Sequence, residues 1–349
     1  MILTLDQCRR RYLAGFAASG LFLAACGGGG SDSALSNLTA LATTSIWADV
    51  TSNALCGAPV ESIIPLGADP HSWEPSIRVP EDIAAADLLV RNGLFLEEGL
   101  LATLDAVDES VTPVVSIATL IASGEEDDHV DHDDHDDEAD HADHDDEADH
   151  DDHDDHADHD DEADHDDHDD HHHSGPDPHL WMDPTFVAEA ATLIADAAVE
   201  AGWPESVKDC AADYSGQLAA LDEEIASQVS VVDAGDRVLV TNHDAFGRFA
   251  ERYGFTVLGT ILPSMSTLAE ANPADLTALA EEILAAGVST IFYDLQSSSV
   301  DAESLAERLD GVEVAALLTG SLVEDPEVGA DYITMMQTNV QRILSAIGG

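Results

Sequence analysis

Of the 17 histidines in this 349-residue chain, 14 fall between residues 125 and 173, and the other three stand far apart. His71 lies in "GADPHSWEP", His179 in "PDPHLWMDP" and His243 in "TNHDAFGRFAERYG". Each occupies a junction where a strand-like or loop segment gives way to a helical pattern. In open α/β sheets, ligands bind outside the carboxyl ends of the strands. His243 directly follows the strand-like "RVLVTN", and His71 follows "VESIIPL". Taken singly, each is as well explained as a structural histidine. Three of them at such junctions, with none elsewhere in the body of the chain, point to a metal. Neutral imidazoles suit Zn²⁺, at Zn–N distances of about 2.0–2.1 Å and with a tetrahedral preference; Mn²⁺ would want more carboxylate oxygen. Pro70 and Pro178 fix the backbone just ahead of two of the histidines. Asp294, in "IFYDLQSS" after another strand-like run, is placed as a fourth ligand or as the partner that orients an imidazole. A solvated loop residue or a helix cap is the plain alternative for it. Glu324 and Asp325 are more distant candidates.

The elements that must position these residues alternate along the chain. Strands are expected in "LTALATT", "VESIIPL", "DLLVRNG" and "PVVSIA", and helices in "SIWADVTSNALCG", "VPEDIAAA" and "LEEGLLATLDAV". A second series has strands "RVLVTN", "FTVLGTIL", "STIFYDL" and "VEVAALLTG". Its helices are "DAFGRFAERYG", "PADLTALAEEILAAG", "DAESLAERLDG" and "DYITMMQTNVQRILSAIG". Such alternation argues for parallel sheets with helices on both faces. Between the series, "PTFVAEAATLIADAAVEAG" reads as a helix opening on Pro184. The run from Pro204 repeats Ala, Leu, Val and Ile at three- and four-residue steps, the mark of a half-buried helix. The expectation is an α/β protein of two doubly wound parallel-sheet lobes, residues 38–203 and 233–349, joined by a long rigid helix over 204–232.

Inside the first lobe lies a segment of a different kind. Residues 125–173 hold 29 acidic residues and 14 histidines: His129, His132, His135, His141, His144, His150, His153, His156, His159, His165, His168, His171, His172 and His173. Residues 141–155 repeat letter for letter as 156–170. Having no apolar periodicity, the segment is expected to stay disordered, as an auxiliary metal-binding loop. Its acidic neighbours favour protonated histidine, so it should hold metal better at about pH 7.5 than at about pH 6. Outside it the chain still carries 43 acidic against 11 basic residues. That balance argues against nucleic acid and anionic membrane surfaces as partners, since both bind through Lys and Arg.

The first 25 residues read as a targeting signal, with Arg9, Arg10 and Arg11 ahead of a short apolar run. "LAAC" followed by "GGGGSDS" resembles a bacterial lipoprotein signal. That resemblance implies cleavage before Cys26, lipidation of its thiol and a flexible tether over 26–37. "RRRYL" also resembles, weakly, a twin-arginine signal. Of four cysteines, Cys8 belongs to the signal and Cys26 to the anchor, leaving Cys56 and Cys210. In an oxidising compartment an even pair reads as a disulfide, with two separate buried thiols as the alternative.

The succession of lipobox, "GADPHSWEP", His/Asp loop, "DPHLWMDP" and "NHDAFGRFAERYG" resembles the periplasmic zinc-binding protein of bacterial zinc ABC transporters, the ZnuA type, over nearly all of the mature chain. The resemblance implies Zn²⁺ held between the lobes by His71, His179 and His243 and delivered to a membrane permease. It also implies limited lobe motion, because the connecting helix acts as a strut. The protein is expected to be a monomer, lipid-anchored at the periplasm or the outer face of the cell membrane. Relatives specific for manganese carry Glu at the position of His243, so the resemblance implies zinc as cargo rather than manganese. The family often supplies an acidic fourth ligand where this chain has Gly320. Two other readings stand beside it: a zinc hydrolase or carbonic-anhydrase-like enzyme, disfavoured by the lack of "HExxH", and a surface metal buffer or adhesin without a transporter.

Overall fold

The computed structural model describes residues 38–120 and 176–348. Cys8, Cys26 and the fourteen histidines of the acidic segment lie outside the described residues.

Four strands, β1 (Ala40–Ala42), β2 (Val60–Ser62), β3 (Leu88–Arg91) and β4 (Val114–Ser116), form a sheet of order β2-β1-β3-β4, parallel throughout. Helix α1 (Ser45–Ala54) starts where the Thr44 side chain accepts the amide of Trp47, and buries Ile46, Trp47, Val50 and Ala54 between the sheet and two long helices further along the chain. The short helix α2 (Val79–Ala84) follows, opened by a proline in its first turn.

The expected helix over 96–107 is instead a 3₁₀ turn, Glu98–Leu100, followed by the single turn α3 (Leu101–Leu104). The tertiary structure overrides helix propensity here. The buried carboxylate of Glu97 is drawn inward, accepting the Thr43 hydroxyl at 2.6 Å and the amides of Asn92 at 2.7 Å and Gly93 at 3.2 Å. At Gly99 a Cβ would lie 2.3 Å from the carbonyl oxygen of Trp73, so only glycine fits.

Two long helices follow, α4 (Pro184–Glu200) and α5 (Val207–Val229). The first is set by Asp183, whose side chain accepts the Thr185 amide at 2.8 Å, with Pro184 at the first helical position. Helix α5 buries Val207, Ala211, Tyr214, Leu218, Leu221, Ile225 and Val229, steps of three and four that put them on one face. That face packs along α4 and reaches elements of both halves. Cys56 and Cys210 are joined by a disulfide that ties the chain after α1 to the first turn of α5.

In the C-terminal half, β5 (Val238–Thr241) pairs with β6 (Thr256–Thr260), and β7 (Thr290–Asp294) with β8 (Glu313–Leu317), again in parallel. Strands β5 and β7 lie side by side, but the hydrogen-bonded ladder is split into these two pairs. The helices are α6 (Gly247–Tyr253), α7 (Pro273–Ala286), α8 (Val300–Ala306) and α9 (Tyr332–Ile347). Asn272 and Asp331 cap α7 and α9 through their side chains. The largest buried apolar cluster runs without a break from Trp47 and Leu88 through α4 and α5 to Phe246, Phe249, Tyr332 and Met335. The halves thus share one core along the helical backbone. Among the described residues no helix is long and apolar enough to cross a membrane.

Candidate metal centre

His71, His179 and His243 meet between the halves. All three are buried, at 3%, 1% and 2% exposure. The Nε2 atom of His179 stands 3.4 Å from that of His71 and 3.2 Å from that of His243. One ligand atom from each ring falls within 4.8 Å of the others, and this is the one such His, Cys or carboxylate cluster among the described residues. At the Zn–N distances usual for imidazole, the edge of a coordination tetrahedron is about 3.3–3.4 Å. The two spacings from His179 are close to that edge, the separation expected of imidazoles that share one small cation.

Local sequence explains how two of the rings are aimed. In both "DPH" tripeptides the aspartate turns back on its own loop: Asp69 Oδ1 accepts the His71 amide at 3.0 Å, and Asp177 Oδ1 accepts the His179 amide at 2.9 Å. Proline between them holds the turn. Asp177 goes further and meets Nδ1 of the His179 ring at 2.8 Å. His243 sits just beyond the carboxyl end of β5, and its Nδ1 meets Oδ2 of Asp294, the last residue of β7, at 2.7 Å. Asn242 Nδ2 donates to the same oxygen at 3.2 Å. Oδ2 of Asp294 therefore contacts the outer nitrogen of a ring, and Asp294 is not a member of the three-imidazole cluster. Glu324 and Asp325 are exposed and do not belong to it either.

Charge follows the same geometry. Burial, helped by the neighbouring rings of His179 and His243, lowers the pKa of His71 to about 2, so that ring is neutral and ready as a ligand. Burial acts the same way on His243, but the charge and hydrogen bond of Asp294 outweigh it and raise its pKa above the ordinary value. Burial opposes ionisation of Asp294 and Asp177 too. Their partners His243 and His179 prevail, and both carboxyls are held below the usual range. Carboxylates on the outer ring nitrogens fix the tautomer and strengthen the imidazole as a donor.

The sequence reading missed three contributors. Asp177 was legible in retrospect, since a carboxylate two residues before a histidine can reach its ring. Asn92 and Glu97 carried no signal. Asn92 Nδ2 donates to the carbonyl of Pro178 at 2.8 Å while its Oδ1 accepts Trp47 Nε1 at 2.9 Å. Glu97 in turn holds the backbone of Asn92. This buried network pins the "DPH" loop of His179 to the first sheet.

Beside the rings is a cavity of about 10 Å³ lined by Pro70, Asp294, Gln296, Ser297, Thr319 and Gly320 among others, room for about one water-sized ligand. At Gly320 an added Cβ would lie 2.6 Å from Cδ of Pro70 and 3.0 Å from its Cγ. The proline ring fills the space that a side chain at 320 would need.

Fold and site define the class: a two-halved α/β metal-binding protein with parallel sheets, a helical backbone and a buried three-imidazole centre between the halves. The chain belongs to the family described as zinc-uptake complex component A, periplasmic, whose pattern matches residues 41–346; this is a family of solute-binding proteins, not of enzymes. It is similar to the zinc-binding lipoprotein AdcA of Streptococcus pneumoniae, 26% identical over 293 residues that cover 82% of this chain and 51% of AdcA. It thus spans about half the length of that relative. It is also similar to the manganese ABC transporter substrate-binding lipoprotein PsaA of Streptococcus mitis, 24% identical over 335 residues that cover 94% of this chain and 95% of PsaA. The periplasmic zinc binding protein TroA from Treponema pallidum shares its fold, with a TM-score of 0.70 at 22% identity, covering 89% of this chain and 99% of that one.

Proposed function

We propose that this chain captures Zn²⁺ between its halves with His71, His179 and His243 and delivers it to the permease of a metal ABC transporter. One observation carries the reading: three buried imidazoles converge, with the Nε2 atom of His179 at tetrahedral-edge spacing from the other two, while Asp177 and Asp294 meet outer ring nitrogens. Three nitrogens and a single exogenous ligand make an acceptable zinc site. Mn²⁺ favours carboxylate and carbonyl oxygen, and among the described residues the cluster that could hold an ion consists of imidazoles alone. Manganese is the second reading, favoured by the PsaA relatives, which match over nearly the whole chain. Asp294 is assigned to orient His243 rather than to bind the ion.

In the same reading Cys26 carries the lipid anchor and keeps the protein on the outer side of the bacterial membrane. The histidines of residues 125–173 raise the local zinc concentration near the centre, as tethered weak sites do.

The test is metal analysis with competitive zinc and manganese titration of the full chain, beside His243→Ala and a deletion of residues 125–173. The expected results are one tight zinc ion in the full chain, loss of that ion in His243→Ala, and its retention in the deletion with fewer weak sites. A full chain that prefers manganese, or that holds its tight ion without His243, would sink the proposal.

A further inference from the structure

His71 is held differently from the other two rings. Its Nδ1 is buried and has no hydrogen-bond partner among the described residues. A carboxylate oxygen, Glu98 Oε1, stands 3.4 Å away, against 2.8 Å and 2.7 Å for the pairs at His179 and His243. That same oxygen accepts the hydroxyl of Ser266, which comes from the other half of the molecule on the loop between β6 and α7. The next residue repeats the pattern. Thr267 donates its hydroxyl to Asp69 Oδ2 at 2.6 Å, and Asp69 is the residue whose other oxygen holds the His71 amide. Two consecutive hydroxyls of the C-terminal half therefore grip the two carboxylates that flank His71.

Ring chemistry gives this arrangement a consequence. An imidazole that binds a cation through Nε2 carries its proton on Nδ1. A buried N–H requires an acceptor, and Glu98 Oε1 is the oxygen in place to serve. Closing the contact from 3.4 Å to the length seen at His179 moves the carboxylate by about 0.6 Å, and Ser266 is bonded to the oxygen that moves. We propose that Glu98 is the positioning residue for His71 and that Ser266 and Thr267 set it from the opposite half. Metal held by the imidazoles and seating of the 261–272 loop across the boundary are then coupled in both directions. The inference rests on the reading of the three histidines as the metal centre.

The test compares the full chain with Ser266→Ala/Thr267→Val, which removes both hydroxyls, and with Ser266→Thr/Thr267→Ser, which keeps both. Zinc dissociation into excess chelator and hydrogen exchange of residues 261–272, with and without zinc, are measured in each, and circular dichroism verifies folding. Zinc is expected to slow exchange of the loop in the full chain and in the hydroxyl-keeping variant. In the Ala/Val variant that response disappears and zinc leaves about tenfold faster, within the range for loss of a residue that orients a ligand. An equal exchange response and dissociation rate in the Ala/Val variant, or no response of the loop in a full chain that binds zinc, overturns the coupling and leaves the zinc reading intact. A full chain that binds no zinc overturns both.

Discussion

Asp294 and His243, 51 residues apart in sequence, meet at 2.7 Å through Oδ2 and Nδ1, both side chains buried. The carboxylate raises the affinity of the imidazole for a proton, and by the same electrostatics it should raise its affinity for a cation. Asp294→Asn keeps an oxygen at hand but removes the charge. The expected outcome is zinc affinity lower by about 10–100-fold with the fold retained, measured by chelator competition. In the metal-free variant the His243 pKa should fall, visible in an NMR titration of the ring. Unchanged affinity would show that Asp294 is structural only.

Pro70 and Gly320 interlock across the halves, leaving no room for a Cβ at 320. Gly320→Ala should therefore cost about 1–3 kcal/mol, the range for overpacking a tight site. Pro70→Ala made in the Gly320→Ala background should recover much of that loss, a non-additive pair in a double-mutant cycle of thermal or urea unfolding. Strict additivity would mean that the two residues do not touch in solution.

Asp49, on α1, ties the N-terminal half to the start of α9, its Oδ2 accepting the Tyr332 amide at 3.0 Å. Burial, reinforced by the neighbouring Asp331, pushes its pKa from 3.8 to about 6 against the opposing pull of the Tyr332 and Asn53 hydrogen bonds. Because the folded value lies above the unfolded one, its contribution to stability is fully present below about pH 4 and is lost as pH rises through about 6. The displacement is worth at most about 3 kcal/mol, at 1.36 kcal/mol per pH unit. Asp49→Asn mimics the neutral carboxyl and can still accept the Tyr332 amide. Its melting temperature should exceed that of the wild type at about pH 7.5, and the gain should vanish near pH 4. A gain independent of pH would refute the assignment.

The Cys56–Cys210 disulfide closes a stretch of 154 residues that includes the acidic segment. Long closures constrain the unfolded chain most in the entropic account, and removing a bridge typically costs about 2–4 kcal/mol. Cys56→Ser/Cys210→Ser should lower the unfolding free energy by that order in urea titration under non-reducing conditions. Zinc stoichiometry should stay the same, because neither sulfur touches the imidazoles. Equal stability of the paired and serine forms would rule out a stabilising role.

Much of this protein follows from local chemistry written along the chain. Apolar residues at three- and four-residue steps specify α5, because a helix must bury one face. Short β-branched runs such as "VLVT" specify strands, and Pro184 and Asp183 mark the start of α4, because proline lacks the donor that a first helical turn cannot use. The three isolated histidines at strand or loop ends marked the candidate centre by a related argument: ligands of open parallel sheets bind beyond the carboxyl ends of the strands. Tertiary structure decided what depends on contacts between distant segments. It assigned Asp294 to the outer nitrogen of His243, set Pro70 against Gly320, and pulled Glu97 inward so that an expected helix became a 3₁₀ turn. It also brought Ser266 and Thr267 onto the carboxylates beside His71. No periodicity encodes these pairings, since each is a match in distance and charge between residues that become neighbours only when the two halves close on one core.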